Sequence, residues 1–554
     1  MKTKTIYIIT VILFVIFLVG CENKLLDENP PHLITSETLY SSLAGFETGL
    51  NGAYSLIRAE HNGSIDFTSS MFTCGTDNLC ANWRQGFGVI GSFWADLNNP
   101  SNSYFNNVFS WLYSIVNATN TIIDRAENRT DIKWAGGSAS AEDNKNRVIA
   151  EAKAIRAWAY RHLSYCWGDV PLNLKESLGS TIKTDWERTP VAEVRRQILS
   201  DLLFAEKYIP VEPVLAGRLT KGAVQHYLAE MYLVMNKPDS TLYWANQVIN
   251  TPQYKLITAR YGVKKTQPGV AFMDMFLQGN KNREEGNTEA LWVWQFQFET
   301  IGGGSDPSTR AHHQGRFMDI KIGGVVPLQI TYERGGRGKA YTAPTKWAID
   351  IYQKQDDRGS NYAMRKFFIL KDAAGNAPYP ADKLPPTYHY GDTIWLKWTN
   401  DLTPATWQRT DWPYSRKVEG TNPDNVTQSA NFDDYIAIRL AETYLLKAEA
   451  QYRLGLSADA ATTINVIRTR SNATPITAAD INIDFILDER SRELFLEEQR
   501  RYTLLRTHKW YERTKAYNHF GGENITPRDT LFPIPQAVID ANLTKPMPQN
   551  PGFN

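Results

Sequence analysis

The sequence predicts a mainly α fold, a tetratricopeptide-like helical repeat scaffold that carries large loop-rich insertions. Two observations lead there. In HYLAEMYLVMNKPDSTLYWANQVI, Ala229-Glu230 precedes Asn246 by the spacing that separates Ala448-Glu449 from Asn465 in LLKAEAQYRLGLSADAATTINVIR. Both segments turn at the same offset, at Asn236 and Gly455, and both hold small residues where two helices must approach. A helix-turn-helix unit of about 34 residues with alanines at the crossings is the tetratricopeptide pattern, whose neighbours stack to bury a shared core. The second observation is what separates the copies: residues 279–433 are rich in Gly, Pro, Trp, Tyr and Asp, the texture of loops carried on a frame.

From the N-terminus, Lys2 and Lys4 precede an apolar run from Ile6 to Gly20. That run of 15 residues is shorter than the ~18–20 a membrane-spanning helix needs, so it reads as the core of a signal peptide. Leu18-Val19-Gly20-Cys21 resembles a bacterial lipobox, with Cys21 as the lipidated N-terminus of the mature chain. Two acyl chains would hold it on a membrane, each buried CH2 contributing about 0.8 kcal/mol. No later segment is apolar for long enough to span a bilayer.

A first insertion is expected at residues 66–117, where Trp83, Trp94 and Trp111 sit among Gly and Asn. Between Asn144 and Cys166, the positions Val148, Ala152, Ile155, Ala159, Leu163 and Cys166 step by three and four, which predicts a helix that Gly168 to Pro171 ends. Thr189 with Pro190 predicts the N-cap and first position of a helix that Pro210 closes, Thr220 caps the next, and Asp239 the one after. Leu291 to Phe298 alternates with period two and predicts a strand whose aromatic face, Trp292, Trp294, Phe296 and Phe298, belongs to the core.

Composition bounds the function. The chain has 554 residues, 42% hydrophobic, with a mean hydropathy of −0.40, enough for one large core or two fused ones. Its 60 basic and 59 acidic residues nearly cancel, which argues against nucleic acid as a partner, because phosphate recognition leaves a basic footprint. Cys166 reads as a buried free thiol, whereas Cys74 and Cys80 could close a small disulfide loop or stay reduced. His312-His313 reads as a solvated pair, and no Cys or His cluster predicts a metal centre. The carboxylates of Gln355-Asp356-Asp357 and Phe432-Asp433-Asp434 could take a structural calcium ion, with surface solvation the favoured reading; no cofactor is predicted.

Five segments together resemble the SusD/RagB family of outer-membrane nutrient-binding lipoproteins of Bacteroidetes: AEAKAIRAWAYRHLSYCWGDVPL (150–172), GRLTKGAVQHYLAEMYL (217–233), IRLAETYLLKAEAQYRLG (438–455), ILDERSRELFLEEQRRYTLLRTHKW (486–510) and LFPIPQAVIDAN (531–542) with QNPGF (549–553). The resemblance implies a SusD-like α/α fold with four tetratricopeptide-like units. It also implies a cell-surface, lipid-anchored protein that captures a nutrient, most often a glycan, and passes it to a SusC-type TonB-dependent transporter, without catalysis. A non-glycan nutrient such as a peptide is the alternative. The regions expected are a signal peptide (1–20), a lipidated tether (21–35), an N-terminal region (36–278) and a C-terminal region (279–554).

By the same resemblance, ligand contacts come from the first insertion, at Asp77, Trp83, Arg84, Trp94 and Asn98, and from the second, at Arg316, Tyr332 and Trp347. Trp and Tyr would stack on the apolar faces of sugar rings, and Asp, Asn and Arg would bond their hydroxyls. A glycosidase is the rival reading, because Glu493 and Glu497 stand four apart in DERSRELFLEEQRR. The interleaved Glu489, Arg490, Arg492, Arg500 and Arg501 favour a solvated or inter-helix salt-bridge network instead, including a Glu497–Arg501 pair.

Overall fold

The computed structural model describes residues 36–61, 68–81, 99–179, 183–304, 309–370, 384–397, 412–422 and 424–553, together with 88, 91, 94 and 97. Cys21 and the signal segment lie outside them. Eight helices form the scaffold in chain order: α1 (Leu43–Arg58), α2 (Ser103–Asn128), α3 (Ala141–Cys166), α4 (Val191–Tyr208), α5 (Lys221–Val234), α6 (Pro238–Ile249), α7 (Leu440–Arg453) and α8 (Ser457–Arg470). Each packs on the next, and the series passes from α6 to α7 across the whole second insertion. Beyond it lie α9 (Ile483–Leu494), α10 (Arg500–Arg506) and α11 (Trp510–Tyr517).

The predicted copies are real. α5/α6 and α7/α8 are both tight hairpins whose turns use a left-handed residue at the predicted place, Asn236 with φ 55° and Gly455 with φ 77°. Ala229, Leu233 and Ala245 of one copy pack against Leu446 and Ala450 of the other, so the alanines lie where the helices cross. α3 buries every predicted apolar position, takes a hydrogen bond from the Asp143 amide onto its Ser140 cap, and stops at Trp167 before the left-handed Gly168. Thr220 caps α5 by accepting from the Ala223 amide at 3.1 Å.

Two caps differ from expectation. Pro190 is itself the N-cap of α4, because Thr189 is held extended in a bridge to Val170. In α6 the first position is Pro238, so Asp239 falls inside the first turn, where its charge still favours the helix N-terminus.

The second insertion is stapled at its root by β2 (Ala290–Trp294) against β8 (Tyr435–Arg439), antiparallel, and β8 runs straight into α7. β2 is shorter than predicted and buried on both faces, Leu291 and Val293 as well as Trp292 and Trp294. Inside the insertion, β4 (Met364–Arg365) pairs with β7 (Tyr414–Ser415) and β5 (Phe367–Ile369) with β6 (Thr393–Trp395), over a small core of Phe317, Phe368, Ile394, Leu396 and Tyr414. The two insertions meet: β1 (Leu79–Ala81) pairs antiparallel with β3 (Thr342–Pro344). One apolar cluster reaches from Tyr40 to Phe553, so residues on both sides of position 278 share a core. No helix of the described residues is long and apolar enough to cross a membrane.

Candidate ligand-binding face

The first insertion enters the structure as a clamped segment. Trp510 Nε1 donates to the Gly75 carbonyl at 2.9 Å, and Asn518 Nδ2 donates to the carbonyls of Thr76 and Leu79. Gly75 has φ 65°, and a Cβ there would fall 2.1 Å from the Gly91 carbonyl oxygen, so only glycine fits. The next side chain that matters is Asp77, which is fully buried. Its Oδ1 accepts from Arg500 Nε at 2.8 Å, and its Oδ2 from Arg500 Nη2 and Arg513 Nε, both at 2.7 Å. Burial opposes ionisation of Asp77, but Arg500 and Arg513 outweigh it and hold the carboxyl below the usual range.

Asp77 is therefore an internal anchor rather than the ligand contact expected of it. Trp94 is corrected in the same way: it is buried, with φ 52°, and meets Trp510 edge to face at 6.3 Å. Trp83, Arg84 and Asn98 lie outside the described residues.

Among the described residues, the second insertion carries several accessible aromatics. Trp347 is half-buried and stacks on Tyr517 of α11 at 4.7 Å and 18°, with the Arg513 guanidinium 4.8 Å from its ring centre. Tyr332 is 47% exposed with the Lys264 ammonium 5.5 Å from its ring, and its phenol is raised by partial burial and by Asp433. Arg316 is half-exposed and pairs with Asp319 at 2.5 Å. The structure thus seats these three in separate local contacts.

One exposed candidate was not anticipated. Trp395 is 58% exposed, the most open tryptophan among the described residues, with Phe367 beside it at 4.8 Å. The signal was present in Thr-Ile-Trp-Leu-Lys (393–397): Ile394 and Leu396 point into the core, which turns Trp395 outward.

The carboxylate pair of the rival reading is locked. Glu493 is fully buried and accepts from Arg439 at 2.6 Å, from Arg358 at 3.0 Å and from Arg470. Burial opposes its charge, yet those three guanidiniums hold it far below the usual range. The predicted Glu497–Arg501 pair does not form, because α9 ends at Leu494 and Leu496 takes φ 64°. Glu497 instead binds Lys417 and Arg439, both at 2.5 Å, while Arg501 donates to the carbonyls of Asp529 and Thr530.

Other expectations are settled by packing. Cys74, Cys80 and Cys166 are all buried free thiols, so no Cys74–Cys80 disulfide is present. His312 and His313 are buried rather than solvated, His313 bonding Thr342 at 2.6 Å. Three of the paired aspartates are held inside the fold, Asp356 by Arg358, Asp433 by Lys281 and Asp434 by the Phe296 amide, while Asp357 stays half-exposed and accepts from Asn472 at 2.8 Å. No group of three or more His, Cys, Asp or Glu side chains suited to a metal ion occurs among the described residues.

A profile of the SusD family matches residues 235–553. The chain belongs to the SusD family. A second profile, described as "Starch-binding associating with outer membrane", matches residues 24–233. SusD-like protein P2 of Formosa agariphila is 25% identical, over 99% of this chain and 99% of its own length. The starch-binding protein SusD of Bacteroides thetaiotaomicron is 33% identical over a shorter stretch, 28% of this chain and 26% of its own. Among solved structures, a SusD homolog from Bacteroides thetaiotaomicron superposes with a TM-score of 0.69 at 18% identity, covering 94% of this chain and 98% of the homolog. A laminarin-binding SusD-like protein does so with a TM-score of 0.65 at 20% identity, covering 92% and 99%. At these identities the superpositions establish the fold, and this SusD-family chain has the family's helical, tetratricopeptide-like architecture.

Proposed function

We propose that this SusD-family protein is a non-catalytic cell-surface binder of glycan, held on the outer membrane through a lipidated Cys21 and handing its ligand to a SusC-type TonB-dependent transporter. Family membership along the chain supports the class, and relatives described as starch-binding and laminarin-binding support a glycan. The observation that carries the site is the solvent-facing aromatic surface of the second insertion, above all Trp395. An exposed indole flanked by a second ring is a platform for the CH faces of a pyranose, and Trp347 offers another on the rim where the insertions join. Arg316 and Tyr332 complete the proposed set, together with Trp83, Arg84 and Asn98. The glycosidase alternative is disfavoured because Glu493 is enclosed by three guanidiniums that leave it no route to substrate.

The test is isothermal titration of protein lacking residues 1–21 against plant, algal and host oligosaccharides, each mixture then analysed for breakdown. Binding of one intact glycan class, weakened by Trp395→Ala or Trp347→Ala, is expected. Silence across the panel would shift the ligand to a peptide or another polymer, and cleaved product would overturn the non-catalytic reading. Co-purification with a barrel transporter, and loss of membrane association in Cys21→Ala, test the remaining parts.

A further inference from the structure

Where the C-terminal tail folds back over the helical scaffold, it closes a cavity of about 490 Å³. The cavity lies far along the chain from the aromatic loops: its walls come from the end of α3, the start of α4, the ends of α5 and α10, and residues 548–551. Tyr165, Leu505, Leu531 and Pro551 give it apolar walls. Three of its uncharged polar side chains are already satisfied, with His508 also in the lining: Ser164 donates to the Arg161 carbonyl, Thr530 to the Pro527 carbonyl, and the Gln549 amide bonds the backbone of Ile534 in both directions.

The charges do not balance. Arg506 is neutralised from beneath by Glu449 at 2.8 Å. Arg188 donates only to uncharged acceptors, the carbonyls of Asp169 and Pro548 and the side chain of Asn550. Arg195 makes no ion pair or hydrogen bond with the described residues, and its Nε is shut off from solvent without a partner. The single carboxylate in the lining, Asp169, accepts from the Val191 amide at the start of α4, 2.7 Å away, and its charge also acts on Arg188. Arg188 and Arg195 thus share one carboxylate at a partly apolar cavity, Arg195 has no ion-pair partner of its own, and its enclosed, unpaired N–H is a standing energetic cost.

We propose that this cavity is a second ligand site, specific for a small oxyanion borne on a ring-sized body, a uronate carboxylate or a hexose sulfate, with Arg195 and Arg188 as its recognition groups. Guanidinium forks match carboxylate and sulfate oxygens with paired N–H donors, which an ammonium or a hydroxyl cannot do. The volume falls within the ~300–1,000 Å³ typical of small-molecule sites. The apolar walls flank the anion as they would the CH face of a sugar. The choice of a sugar as the body rests on the glycan reading above; the oxyanion does not.

The experiment is isothermal titration at low salt of protein lacking residues 1–21, with glucuronate, galactose 6-sulfate, inorganic sulfate and uncharged glucose as separate probes. Saturable binding of a sugar anion, with glucose silent, is expected. Uronate without sulfate ester assigns the carboxylate, the reverse assigns the ester, and either supports the site. Arg195→Gln, which removes a side chain that holds nothing else in the fold, should weaken binding about tenfold or more and leave the unfolding midpoint unchanged. Arg195→Lys should restore only part of it. Trp395→Ala should leave anion binding intact, which separates this site from the aromatic face. No saturation with either sugar anion, glucose binding equal to glucuronate, or affinity unaltered in Arg195→Gln would each overturn the proposal, and binding of inorganic sulfate alone would overturn the sugar body.

Discussion

Asp77→Ala is predicted to damage the fold and to reach ligand binding only through that damage. The carboxylate is fully buried and accepts three charge-assisted hydrogen bonds of 2.7–2.8 Å from Arg500 and Arg513. Removing it strands Arg500, which is buried and keeps only Glu498 as a carboxylate partner. Truncating one member of a buried pair costs about 3–5 kcal/mol, because the charge left behind has lost both water and partner. Arg513 is cushioned, since Asp484 and Asp488 remain at 3.0 and 2.6 Å, which places the expected loss at the lower end of that range. The assay is urea unfolding followed by tryptophan fluorescence, together with hydrogen exchange of residues 75–81, which should open first because Asp77 ties them to α10 and α11. The native stabilisation depends on a carboxyl held below its ordinary value of about 3.9. It is therefore complete above that pH and fades as pH falls through the depressed folded value, and Asp77→Ala should abolish that part of the acid sensitivity. A variant with wild-type stability but weakened glycan binding would refute the reasoning and return Asp77 to the ligand face.

Three more outcomes can be checked. Trp292→Ala, which removes a buried indole donating to the Gly217 carbonyl at 3.0 Å, should cost about 3–5 kcal/mol, whereas Trp395→Ala should alter stability by less than about 0.5 kcal/mol and lower glycan affinity roughly tenfold; the reverse ordering would mean that the exposed ring is structural. Burial pushes the Cys74 thiol up to about 12 and Cys80 well above its usual value, so neither should react with a thiol reagent until urea unfolds the chain, and rapid native labelling would contradict the packing. Glu60, raised by burial to about 8 against the pull of Arg161, is neutral in the fold at acidic pH; its contribution is complete below about 4.5 and is lost as pH rises towards 8, by up to about 1.4 kcal/mol per pH unit, and Glu60→Gln should flatten that part of the stability profile measured by urea unfolding.

The scaffold was legible because its signals are local. Spacing of three and four from Val148 to Cys166, the cap at Thr220 and the matched turns at Asn236 and Gly455 each involve residues within a few positions of one another, and all three stand in the fold. The charge network was legible in kind but not in pairing. Arg and Glu alternate along residues 489–501, yet a break at Leu496 sends Glu497 to Lys417 and Arg439, the second reached only once β8 is placed.

The site residues were hardest, for one physical reason. An aspartate in a Gly- and Asn-rich loop carries the same local signature whether it meets a sugar or an arginine more than four hundred positions away, and Asp77 meets Arg500. What distinguishes the two is the pairing of β1 with β3, which draws the first insertion down onto α10 and α11 and leaves the outward side of the second insertion to face solvent. The same pairing couples the halves of the proposed face. Thr345, which follows β3 and caps the short helix holding Trp347, donates its backbone N–H to the Asn78 carbonyl at 2.9 Å, so loosening the Asp77 anchor should also blur the position of Trp347. Loss of glycan affinity in Asp77→Ala that is recovered at low temperature, where the anchor segment is again protected from exchange, would identify that coupling, whereas loss at every temperature would point to direct contact.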